Sequence, residues 1–107
     1  VTRRMTAVWS DACVYIGGHL GDGNLHLGAK AGSLDPHPKE EIDAIVYGLV
    51  GELNGSVSAE HGIGMLKRAY LSSSRNLAEL ALMKKLKQAL DPGEILSPGR
   101  IFTPNDI

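Results

Sequence analysis

The ten residues Gly18-His19-Leu20-Gly21-Asp22-Gly23-Asn24-Leu25-His26-Leu27 constrain this chain more than any other stretch. Three glycines, an aspartate and an asparagine lie there between two apolar runs, which is turn chemistry rather than helix chemistry. Upstream, Ala12-Cys13-Val14-Tyr15-Ile16 is β-branched and aromatic, is closed by Gly17-Gly18, and reads as a buried strand. Downstream, residues 24–30 alternate, with Leu25, Leu27 and Ala29 on one face and Asn24, His26 and Gly28 on the other. Turn residues between two such runs predict an antiparallel pair. His26 then lies opposite the apolar face, His19 ends the first strand, and a hairpin return brings the two imidazoles near each other.

A second polar knot, Ser58-Ala59-Glu60-His61-Gly62-Ile63-Gly64, follows a helical segment. Three of the four histidines fall in the two knots. Glycine lets backbone come close to a ligand, and imidazole and carboxylate bind divalent metals and move protons. The reading is that the knots meet in one metal-assisted site. His19, His26 and Glu60 offer two imidazoles and a carboxylate, with Asp22 as the alternative carboxylate. That donor set suits Zn²⁺, Mn²⁺ or Fe²⁺ without choosing among them. His61, beside Glu60, stays off the metal and serves as a base if the backbone there is a turn, because neighbours in extended backbone point to opposite sides.

Elsewhere the chain reads as core and surface. Residues 1–11, with the only tryptophan, Trp9, read as a short helix or an edge strand. Ala31 to Pro38 reads as a loop with Gly32, Asp35-Pro36 and an exposed His37. Pro38 suits a first helical turn and Glu40-Glu41 its positive dipole end. Ile42, Ile45, Val46, Leu49, Val50 and Leu53 then mark the core stripe of a helix ended by Asn54-Gly55. Met65–Leu71 reads as a short helix broken by Ser72-Ser73-Ser74-Arg75. Asn76 and Glu79 form a capping box for the next helix. Leu77, Leu80, Met83, Leu86 and Leu90 mark its buried side, and Lys84, Lys85 and Lys87 its wet one. Asp91-Pro92-Gly93 stops it, and Ser97-Pro98-Gly99 is a turn in an extended tail.

A net charge of −1 gives no basic footprint for nucleic acid. No apolar run approaches the roughly 20 residues of a membrane span. The single cysteine, Cys13, excludes a disulfide framework and reads as a small packed apolar residue. Thirteen glycines and two polar knots are a heavy load of special backbone for 107 residues, so the chain reads as part of something larger. No Gly-x-Gly-x-x-Gly unit is present, so this stretch alone is not expected to retain a flavin dinucleotide.

The strings GHLGDGNLHL, SAEHGIGMLKRAYL and ALDPGEILSPGRIF, in this order from about Val14 to Phe102, resemble the C-terminal part of the FAD-linked oxidase family. That family includes D-lactate dehydrogenases, the FAD subunit of glycolate oxidase and D-2-hydroxyglutarate dehydrogenase. The resemblance implies an α+β fold, an antiparallel sheet with packed helices, as the last part of a ferredoxin-like cap or substrate domain. Residues 1–107 would be one fragment of that domain, with the FAD-binding domain lying elsewhere.

Carried over by position, the resemblance puts the metal ligands on His19, His26 and Glu60 and the catalytic base on His61. It puts substrate or cofactor contact on Asn24, Ser97 and Arg100. It implies oxidation of a small D-2-hydroxy acid (lactate, glycolate or similar) with FAD and a divalent metal. It further implies a separate electron acceptor, leaves homo-oligomerisation open, and suggests a bacterial cytoplasmic or eukaryotic mitochondrial location. The 2-hydroxyglutarate enzymes carry asparagine where this chain has Gly28, and the family's closing Asn-Pro-Gly-Lys is here Ser97-Pro98-Gly99-Arg100. Lys67 and Arg68 match a basic pair and read as helix surface. The competing expectation is a non-catalytic metal-binding or assembly module that kept the fold; a free base beside the ligands separates the two.

Overall fold

A computed structural model describes residues 1–32 and 36–106. The loop expected from Ala31 to Pro38 lies partly outside them. The chain divides into two units, 1–53 and 54–107.

The first unit runs α1 (Thr2–Val8), β1 (Cys13–His19), β2 (Asn24–Lys30) and α2 (Lys39–Glu52). The N-terminal segment is thus the helix, not the edge strand. β1 and β2 pair antiparallel as expected, with Val14 opposite Ala29, Gly17 opposite His26 and His19 opposite Asn24. β2 has the expected bounds, but β1 does not stop at Gly17-Gly18; it pairs on through both to His19. Glycine in a strand also marks close approach of another backbone, and here it does. Gly18 has φ +146°, and a Cβ on it would lie 2.1 Å from the carbonyl oxygen of Asn24.

One sheet face carries Val14 and Ala29 to the core of this unit, formed by Met5, Ala31 and Ile42 with Trp9, Ile45 and Val46 against it. The other face carries Tyr15, His19 and His26. β1 is not the buried strand expected: Tyr15 and Ile16 are 72% and 52% exposed, and Cys13 is exposed rather than packed. Among the described residues the sheet has two strands, and these side chains lie open on it. α2 takes Pro38 as its N-cap and Glu40 and Glu41 in its first turn. Asn54 follows its C-terminus at φ 52°, a left-handed conformation that asparagine tolerates. Ile42 is buried, but Leu53, expected in the core stripe, is exposed because the helix has ended before it. Arg4 of α1 clasps Glu52 of α2 through two hydrogen bonds of 2.8 and 2.6 Å.

The second unit holds a 3-10 helix, Arg68–Ser73, then α3 (Leu77–Leu90) and a turn-rich tail ending in a short 3-10 helix, Pro104–Asp106. The helix expected over Met65–Leu71 is therefore displaced and tighter. Residues 64–67 are turn, Ser72 and Ser73 are part of the 3-10 helix, and it stops at Ser74. Ser74 holds this region instead: its hydroxyl accepts from Val57 N–H at 2.8 Å and donates to Gly55 C=O at 3.1 Å.

The Asn76–Glu79 capping box is present, with both reciprocal bonds formed. α3 buries no residue, contrary to its apolar pattern; Leu77, Leu86 and Leu90 are exposed. Nor are all its lysines wet. Lys84 lies 5.6 Å from the Phe102 ring centroid, and Lys87 donates to Leu96 C=O at 2.8 Å and pairs with Asp91. The tail is not extended: Glu94, Ser97 and Ile101 all take positive φ, at 50°, 49° and 66°. The α+β class holds; no helix among the described residues is long and apolar enough to cross a membrane.

Candidate functional site

In the first unit the hairpin positions the histidines by register. His19 pairs with Asn24, and His26 lies two residues further along β2 on the same face. Diagonal neighbours of this kind lie within reach of long side chains. The imidazole centroids are 5.7 Å apart with ring planes tilted by 58°, and both residues are exposed. A divalent ion about 2.1 Å from one nitrogen of each ring allows centroids roughly 5 to 6 Å apart, so this pair suits a shared ion. Neutral imidazole is also a fitting donor for zinc or manganese.

The turn Leu20–Gly23 closes through Asp22 N–H to His19 C=O at 3.3 Å and Gly23 N–H to Leu20 C=O at 3.4 Å. Asp22 itself accepts from Asn24 N–H at 3.1 Å through its carboxylate. That local bond explains the residue without a metal, which weighs against Asp22 as the alternative ligand. Asn24 is 8% exposed and stands opposite His19 at the end of the ladder, on the face that carries both histidines.

Tyr15 is a member of this face that the sequence pattern did not single out. It stands opposite Gly28 in register, and its ring lies over Gly17, where a Cβ would be 2.9 Å from the phenolic oxygen. Only the face assignment, an aromatic at the His19 and His26 parity, could have marked it.

In the second unit the backbone at residues 59–61 is a bend rather than a strand. Neighbouring side chains there can share a side, and Glu60 and His61 do: His61 Nε2 lies 3.1 Å from Glu60 Oε1. Both are exposed. The loop is closed from within. Ser58 Oγ donates to Gly62 C=O at 2.7 Å, and Lys67 Nζ donates to Ser58 Oγ at 3.2 Å. Arg68 donates to Gly99 C=O at 2.6 Å. Neither member of the basic pair is a plain surface cation as expected. Both are partly buried and bonded to loops.

Ser97 and Arg100 line a groove of about 340 Å³ with Met83, Leu86, Leu96 and Phe102. The segment leading to them is fixed by Asp91, only 5% exposed, whose carboxylate accepts from Ile95 N–H at 2.9 Å and Leu96 N–H at 3.0 Å. The Lys87 ammonium, with these two amides, holds the Asp91 carboxyl below the usual aspartate range. Sequence reading took Asp91 only for a helix stop. Its place before Pro92-Gly93 is the signal that could have marked a side chain able to cap the following turn.

With this geometry in place, comparison with known proteins identifies the class. The chain belongs to the family of FAD linked oxidases, C-terminal domain, whose pattern matches residues 2–101. It is 46% identical over 93 residues to D-2-hydroxyglutarate dehydrogenase of Stutzerimonas stutzeri, covering 79% of this chain and 19% of that protein. It is 42% identical over 88 residues to a mitochondrial D-2-hydroxyglutarate dehydrogenase of Danio rerio, covering 82% and 16%. It is 36% identical over 101 residues to an uncharacterized FAD-linked oxidoreductase of Mycobacterium tuberculosis, covering 94% and 22%. The chain thus spans about a fifth of the length of the curated relatives it matches.

Proposed function

We propose that this chain is the C-terminal substrate region of an FAD-dependent enzyme that oxidises a D-2-hydroxy acid to the 2-oxo acid. The observation that carries the reading is the His19–His26 pair, 5.7 Å apart on a sheet face that does not serve the core. Family membership supplies the chemical class. In this reading His19, His26 and Glu60 hold one divalent ion, zinc or manganese. A bound ion would supply Lewis acidity toward the substrate hydroxyl and carboxylate, and FAD, held mainly by a partner domain, would supply the two-electron acceptor for the α-hydrogen.

The chain's own residues then have separate tasks. His61, turned to the same side as Glu60, takes the hydroxyl proton as the carbon is oxidised. Ser97 and Arg100 offer a hydroxyl and a guanidinium to the substrate or the flavin. Arg100 suits a planar carboxylate or phosphate through its forked donors. The reduced flavin would pass its electrons to a separate acceptor. The names of relatives that carry 2-hydroxyglutarate support counting that acid as a candidate. Gly28 stands where the resemblance sets a substrate-touching asparagine in the 2-hydroxyglutarate enzymes, which weighs against that acid and toward lactate or glycolate.

The test is turnover of the intact protein with an artificial electron acceptor across D-lactate, L-lactate, glycolate and D-2-hydroxyglutarate. Acceptor reduction with one or more of glycolate and the D-acids, and none with L-lactate, is expected. A flavin-loaded protein that reduces the acceptor with none of them would overturn the reading.

A further inference from the structure

The proposed base and the proposed contact turn lie on two separate loops of the second unit. Nothing in a single helix or sheet sets one against the other. Residues 58–64 carry Glu60 and His61, and residues 97–101 carry Ser97 and Arg100. Two hydrogen bonds tie these regions together. Arg68, just after the first loop, donates to Gly99 C=O at 2.6 Å. Ile101 N–H donates to Gly64 C=O at 2.9 Å.

The backbone at the tie is strained. Ile101 is β-branched yet sits at φ 66°, and Ser97 at φ 49°. Conformations of this kind persist only where the surroundings over-determine them. The adjacent cation works inward: Lys67 donates to Ser58 Oγ at 3.2 Å, and Ser58 donates to Gly62 C=O at 2.7 Å across the loop that carries the base. Each cation is spent on a loop atom, and neither has an acidic partner within salt-bridge distance among the described residues.

We infer that Lys67 and Arg68 are positioning residues: Lys67 closes the Glu60–His61 loop, and Arg68 clamps the Ser97–Arg100 turn against it. They touch neither the proton that moves nor the reacting carbon. They fix where His61 stands relative to Ser97 and Arg100. This assignment rests on the proposed function for its catalytic consequence, while the clamp itself is a statement about hydrogen bonds. Misplacement by an ångström suffices to slow an oriented reaction by orders of magnitude, so the clamp has a kinetic readout as well as a structural one.

The experiment uses the intact protein and compares Arg68→Met, Arg68→Lys and Lys67→Met. Methionine keeps the apolar stem and removes the donor, which limits damage to packing. Arg68→Met is expected to speed amide exchange in residues 97–102 by about tenfold while α3 exchanges as before. It should lower kcat about tenfold to a hundredfold with bound metal unchanged. Arg68→Lys, which can still donate to Gly99, should recover most of both. Lys67→Met should speed exchange in residues 58–62 and leave 97–102 alone.

Unchanged exchange at 97–102 in Arg68→Met would overturn the clamp. Faster exchange with unchanged kcat would overturn the positioning role, as would a uniform rise in exchange across α3 that marks general loss of stability. His61→Ala, assayed alongside, separates this failure from failure of the proposed function. If it retains turnover, the chemistry assigned to the loop is wrong, and the exchange data still decide the clamp.

Discussion

The two halves of the proposed site are built in opposite ways. The hairpin that carries His19 and His26 is regular: its residues pair across seven register positions, and the histidines meet because pairing puts them on one face. The loop that carries Glu60 and His61 has no ladder. It is held by single side chains, Ser58, Lys67 and Arg68, and by a tail with non-glycine residues at positive φ. A ladder distributes the work of holding a geometry over many backbone bonds, whereas a tied loop concentrates it in a few side chains. The first should fail only when its backbone is blocked; the second should fail one tie at a time.

The largest effect expected is therefore at Gly18. Its replacement by alanine sets a methyl group against the Asn24 carbonyl and forces φ +146° on a residue that has a Cβ. Gly18→Ala should cost about 3 kcal/mol, at the upper end of ordinary single changes. Urea unfolding of the intact protein measures it. A midpoint equal to the parent's would show that the hairpin does not depend on this close approach.

A tie in the second unit should cost less. Asn76 accepts from Glu79 N–H at 3.0 Å and Glu79 answers at 2.8 Å. Asn76→Ala removes one half of that box and should cost about 1 kcal/mol. A loss as large as that of Gly18→Ala would erase the distinction between the two constructions.

The gentlest effect is on pH dependence. The Asp91 carboxyl is held below its ordinary value by Lys87 and the two amides of the following turn. The folded state thus favours the ionised carboxylate. This contribution is complete above the ordinary aspartate value, near about pH 4, and is lost as pH falls through the lower folded value. Stability measured from pH 6 downward should separate the parent from Asp91→Asn at the top of the range, and the gap should close in acid. A gap that widens in acid would give the opposite sign and refute the assignment.

The same contrast explains what could be read before any coordinates. β2 was legible to the residue because strict alternation sets a face, and the Asn76–Glu79 box announced α3 because its chemistry is local. The passage of β1 through Gly17-Gly18 was not, since glycine marks both the end of a strand and a close approach within one. The 3-10 turn at Arg68–Ser73 carried the apolar pattern of a short helix, and spacing over one or two turns does not separate the two. The exposed leucines of α3 show that an amphipathic pattern states which face could be buried, without stating what buries it. Of the site, the approach of His19 to His26 followed from the hairpin. The ties made by Arg68 and Lys67 did not, because Arg68 reaches a carbonyl 31 residues away that no side-chain pattern encodes, and Lys67 reaches back across a loop to Ser58.

The central claim is a division of labour: His19, His26 and Glu60 hold a divalent ion, and His61 moves a proton. The measurement that tests it most directly is bound metal per chain and kcat, taken side by side, for His19→Ala, Glu60→Ala and His61→Ala in the intact protein. The account predicts that the first two lose most of the metal together with activity, while His61→Ala keeps the metal and loses about 10²–10⁴-fold in kcat. If His61→Ala sheds metal as Glu60→Ala does, their 3.1 Å contact serves only to orient the ligand. That result, or near-normal turnover in His61→Ala, would contradict the claim.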